Sequence, residues 1–211
     1  MGSGPSVNLV NWKNLDYDCI ATTSFFYLND FVRNLPNITH ITLTDLVDLQ
    51  HPNLAEFLAK NPSCTIAFEP KHHPFYTTKE YKLFTEKYKQ QIVFYNTLHG
   101  KKEGVAGRLC YFVIQFSPSH LYYVGIDGKS PDPTKDPQNA FRTHLRGDAD
   151  GYQQQDFVDS HLYFASILYQ VSEQTNTKLY NLGEGFEFNC SSQYSEQHYP
   201  LTNEIKTKIK I

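Results

Sequence analysis

The chain is 211 residues long, 40% hydrophobic and only 19% charged, with 15 Phe and 15 Tyr. That composition can bury a sizeable core and excludes a disordered chain; the length favours one domain over residues 1–211. A formal charge of −3 leaves no basic footprint, so nucleic-acid binding is not expected.

No apolar run nears the roughly 18 residues of a spanning helix, and the N-terminus lacks a charged region followed by an apolar one. Neither a transmembrane segment nor a secretory signal is expected. Cys19, Cys64, Cys110 and Cys190 are far apart and form no CxxC pair, so they read as reduced thiols in a cytoplasmic protein.

In chain order, Gly2-Ser3-Gly4-Pro5-Ser6 opens as a glycine turn. Asp18 to Thr23 reads as a strand, and Ser24 to Leu35 carries Phe25, Phe26, Leu28, Phe31 and Val32 at helical spacings. Ile38 to Thr44 alternates and is β-branched, a second strand. Asp45 to Lys60 holds a helical stripe that Pro52 must start or interrupt. Cys64 to Phe68 is a third strand, ended by Pro70; Thr77 to Lys89 is a helix, and Gln91 to Tyr95 a fourth strand.

Gly107 to Phe116 reads as a buried helix and Leu121 to Ile126 as an apolar strand running into Asp127. A polar segment over 128–154 reads as a loop or lid. Asp156 to Glu173 is an amphipathic helix and Lys178 to Leu182 a last strand. Strands alternating with helices imply an α/β fold: a three-layer, Rossmann-like, mostly parallel sheet with helices on both faces.

In such a sheet, ligands bind outside the carboxyl ends of the strands. Five elements fall there. The Gly2–Ser6 turn could approach a phosphate, though a cloning scar or a frayed terminus fits the same residues. Asp45 ends ITHITLTD, where a helix N-cap is the plainer role. Ala106-Gly107 opens the RLCYFVIQF helix, and small residues there admit a phosphate or ribose, or make a plain loop. Asp127, after Gly125-Ile126, could hold a ribose hydroxyl, a substrate hydroxyl or a metal.

His161 could act as general base near neutral pH, or simply cap a helix; His144 competes with it. The other histidines, including the pair His72-His73, show no metal-ligand spacing. Phosphate-loop, nucleophile-elbow and HExxH motifs are absent.

Taken in order, GSGPS, Asp45 after a strand, Ala106-Gly107, Gly125-Ile126-Asp127 and His161 resemble the bacterial α-2,3-/α-2,8-sialyltransferase fold. They also resemble its 6-hydroxymethylpterin diphosphokinase-like (motility-accessory-factor-like) relatives. Asp stands at 45 where those sialyltransferases carry Asn, Ala at 106 where they carry Ser, and the tyrosine pair after G-I-D is replaced by Gly128-Lys129-Ser130. The family's first strand would precede Met1, and it is missing from the sequence.

The resemblance implies a glycosyltransferase that uses a nucleotide-activated sugar of the CMP-sialic acid type and needs no metal. Gly2, Ser3, Gly4, Pro5, Ser6, Ser24, Asp45, Ala106, Gly107 and Gly125 would surround the nucleotide. Asp127 and His161 would be catalytic, with His161 as the base, and residues 142–151 would close over the site. The acceptor would be a glycan or small molecule, and assembly into a homo-oligomer is left open. Two other readings stand beside this one: a diphosphate-transfer enzyme holding Mg²⁺ through Asp45 and Asp127, and a non-catalytic nucleotide-binding domain.

Overall fold

The computed structural model describes residues 1–2, 4–43, 47–69, 77–96, 104–126, 168 and 170–182. Four strands form one sheet in the order β1 (Ile20–Thr23), β2 (Ile38–Thr42), β3 (Thr65–Phe68) and β4 (Ile92–Phe94). Every pairing is parallel, and one register row runs Thr22, Ile41, Ile66, Ile92 across the sheet. A second parallel pair joins β5 (His120–Tyr123) to β6 (Lys178–Asn181). This is the expected Rossmann-like α/β architecture.

Alternation along β3 shows how both faces are covered. Ile66 and Phe68 pack into a cluster with Leu54, Phe57 and Leu58 of α2 (Pro52–Lys60) and Tyr81 and Phe84 of α3 (Lys79–Lys87). Ala67, between them in sequence, faces Leu109 and Phe112 of α4 (Gly104–Ile114). Successive strand side chains point to opposite faces, so one short apolar strand serves two layers. Burying each large side chain of α2 contributes about 1.5–3 kcal/mol.

Helix α4 lies over the junction of the two sheets. Its Leu109 and Phe112 cover the four-stranded sheet, while Cys110, Tyr111 and Ile114 pack with Tyr123, Leu179 and Leu168 on the β5–β6 side. Residues 1–2 bridge the same junction. The Met1 α-amino group donates to the Ala21 carbonyl of β1 at 2.7 Å. The Gly2 amide donates to the Val124 carbonyl just beyond β5, also at 2.7 Å.

Local chemistry trims several expected elements. The helix expected over 24–35 is broken into a 3₁₀ turn, Phe26–Leu28, and the single-turn helix α1, Asp30–Arg33. Asn29 causes the break: its extended backbone stops the first turn, and its side chain accepts from the Val32 amide at 3.0 Å to cap the second. Helix α2 starts at Pro52 rather than Asp45, because proline lacks the amide that an interior position must donate.

Thr78 caps α3 by accepting from the Tyr81 amide. Of the helix expected over 156–173, residues 170–175 are helical and the stretch before 168 lies outside the described residues. The 128–154 segment also lies outside them. Among the described residues no helix is long and apolar enough to cross a membrane.

Candidate functional site

Parallel strands present all their carboxyl ends at one edge, so residues distant in sequence meet there. Ser24 follows β1, Thr42 ends β2, Glu69 follows β3, Tyr95 follows β4, and Val124 and Gly125 follow β5.

The N-terminal turn docks onto the end of β5. Beyond the Gly2 bond to Val124, the Gly4 amide donates to the Gly125 carbonyl at 2.8 Å. The Gly125 amide donates to the Ser6 hydroxyl oxygen at 2.9 Å, closing the loop. Pro5 begins the 3₁₀ turn Pro5–Leu9 that carries Ser6 into this contact.

Side chains would not fit at this junction. A Cβ on Gly2 would lie 2.3 Å from the Gly125 carbonyl oxygen and 3.1 Å from the Ala106 Cβ. Gly125 has φ +71°, and a Cβ there would lie 2.5 Å from the Gly2 carbonyl oxygen. The glycines thus permit backbone-to-backbone packing beside the start of α4.

Parts of three of the five sequence elements therefore come together: Gly2, Gly4 and Ser6 of the turn, Ala106 of the helix start, and Gly125 ahead of Asp127. The amides of Gly2, Gly4 and Gly125 are spent on holding this junction and are not offered to a ligand. Gly107 is buried and Ala106 half-buried. Ser24 is buried at the end of β1 in a left-handed conformation, φ +38°, and its amide donates to the Thr42 carbonyl at 2.7 Å. Such a backbone is uncommon for a residue with a side chain. Ser3, Asp45, Asp127, His144 and His161 lie outside the described residues.

A second polar group on this edge was not singled out in the sequence. Glu69 and Arg108 are both buried, and Arg108 Nε lies 2.8 Å from Glu69 Oε2. The Tyr95 hydroxyl is hydrogen-bonded to Thr42, whose own hydroxyl donates to the Ala67 carbonyl at 2.9 Å. Burial pushes the Tyr95 hydroxyl up to about 12; Thr42 opposes this, the Glu69 charge adds to it and Arg108 offsets it. The phenol is therefore a neutral hydrogen-bonding group at physiological pH.

The signal for this group was present in the composition. Arg108 is the only charge in the helical run GVAGRLCYFVI, and Glu69 follows directly on the apolar TIAF. Isolated charges in apolar runs are buried only when paired.

The Met1 amine is buried, and desolvation holds it below its ordinary 8.0. Cys110 and Tyr123 are buried on the same side, and burial pushes the Cys110 thiol up to about 11.

Fold and site together define a parallel α/β domain whose carboxyl edge joins a glycine-lined backbone junction to a buried Glu–Arg pair. Comparison with protein-family models gives no match, and no curated protein or solved structure matches significantly.

Proposed function

We propose that the protein is a metal-independent glycosyltransferase acting on a nucleotide-activated sugar, with the nucleotide seated at the carboxyl edge of the sheet. One observation carries this reading. The Gly2–Gly125 junction abuts Ala106 at the start of α4, so the turn, the β5 end and a helix N-terminal turn converge through small residues, with Val7 packed beside Gly125. An anion seated beside this junction, over the first turn of α4, would meet helix amides that have no intrahelical acceptor and the positive end of the helix dipole.

In the reaction, the acceptor hydroxyl gives its proton to His161 as its oxygen bonds to the anomeric carbon of the donor. The bond from that carbon to the nucleotide phosphate breaks, and the nucleotide leaves with the electron pair. Asp45 and Asp127 position donor hydroxyls or the base; Ser24 and Ala106-Gly107 line the nucleotide. The acceptor is a glycan or a small hydroxylated molecule. A cytoplasmic setting accords with Cys19, Cys64 and Cys110, which are all free thiols.

Hydrolysis of a panel of CMP- and UDP-sugars by the wild type and His161→Ala, each with and without EDTA, tests the proposal. The expected result is turnover of one donor class, insensitive to EDTA and lowered at least about a hundredfold in the variant. EDTA-sensitive turnover sinks the metal-independent mechanism, and unchanged turnover in His161→Ala removes that residue from it. If no nucleotide sugar is turned over or stabilises the protein to heat, the whole reading fails.

A further inference from the structure

The proposed reaction leaves the buried Glu69–Arg108 pair without a task. Arg108 lies one turn into α4, is only 8% exposed, and has its Nε 2.8 Å from Glu69 Oε2. Arginine carries a fixed fork of N–H donors, and Nε holds only one of them. Among the described residues, the Arg108 side chain has no ion-pair or hydrogen-bond partner besides Glu69. Its two terminal nitrogens are therefore uncommitted within that set.

The flanks of α4 give this group its place. Ala106 and Cys110 share the flank that meets the Gly2–Gly125 junction and Tyr123. Arg108 and Phe112 share another, where Phe112 packs on Ala67 and Tyr95 and Arg108 meets Glu69. The first turn of α4 lies between these flanks at the carboxyl edge of the sheet, and helical side chains lean back toward the turn before them. The Tyr95 hydroxyl, bonded to Thr42, stands close enough to sense both charges of the pair.

We propose that Arg108, seated by Glu69, is the side chain that grips the phosphate of the nucleotide. This deepens the nucleotide-sugar reading and rests on it. A planar guanidinium matches two oxygens of a phosphoryl group, and such charge-assisted bonds are roughly twice as strong as neutral ones. Glu69 balances the guanidinium when no anion is bound, which lets the charge be buried. An anion over the first turn of α4 would then be shared between that fork and the helix amides. The gain belongs to the phosphate alone, so a nucleoside does not receive it.

Calorimetric titration of the full chain with CMP and UDP, each set against its nucleoside, tests this. The wild type is expected to bind one nucleotide at least about tenfold tighter than its nucleoside, the equivalent of one hydrogen bond to a charged group. The double variant Arg108→Met/Glu69→Leu, which leaves no charge unpaired, should bind the nucleoside as before and the nucleotide no tighter. Arg108→Lys should keep part of the gap, since the charge stays and the fork is lost; if the double variant does not fold, this variant decides. A gap as wide as that of the wild type, in whichever variant decides, overturns the role of Arg108 and leaves the nucleotide reading standing. So does a wild type that binds nucleotide and nucleoside equally, or a folded variant that loses both together. A wild type that binds neither overturns both.

Discussion

Arg108 of α4 and Glu69 at the end of β3 form an ion pair of 2.8 Å with side chains only 10% and 3% exposed, tying the helix to the carboxyl edge of the sheet. Removing one partner leaves the other charge buried, so Arg108→Met should cost about 3 kcal/mol of stability. The double variant Arg108→Met/Glu69→Leu should recover most of that loss. Urea denaturation of both singles and the double checks it, and a double variant no more stable than the worse single would show that the two are not coupled.

Gly125 should tolerate no side chain. Its φ of +71° and the 2.5 Å approach of the Gly2 carbonyl oxygen to a Cβ act together. Gly125→Ala is expected to cost roughly 1–3 kcal/mol and to release the N-terminal turn. Proteolysis after residues 1–6 should speed up in the variant, whereas Ala55→Gly in α2 should leave that cleavage unchanged.

Stability should rise with pH through the histidine range. Burial against Phe112 and Phe116 holds His40 below its ordinary 6.5. The unfolded chain then binds more protons than the folded one. The contribution of this residue is complete above about 6.5 and is lost progressively as pH falls toward the lower folded-state value. His40→Asn should flatten this part of the profile, read as ΔG of unfolding between pH 7 and pH 5. An unchanged slope would show that other groups set it.

The thiols should differ sharply in reactivity. Burial pushes Cys64 up to about 12 and Cys110 to about 11, while Cys19 is exposed. Alkylation of the native protein near pH 8 should therefore modify Cys19 and spare Cys64 and Cys110 until the chain unfolds. Peptide mass mapping before and after denaturation reads this directly.

Much of the fold was legible because it rests on local pattern. The β-branched runs ending at Thr23, Thr42 and Phe68 are strands, and Pro52 marks the start of α2 through its missing amide. The spacing of strands and helices was enough for a parallel sheet covered on both faces. The break at Asn29 was less visible, since Phe25 to Val32 keep helical spacing while one capping side chain divides them.

At the site, the sequence alone picked out small residues at Gly2, Gly4, Ala106, Gly107 and Gly125 as places where another group could approach the backbone closely. Only tertiary structure decided that Gly2 and Gly125 pack against each other, because their separation along the chain hides a contact set by two strand ends meeting. The same holds for Glu69 with Arg108 and Thr42 with Tyr95, which are partners through the sheet edge rather than through spacing. Residue type determines what a position can do, and long-range packing determines which positions meet to do it.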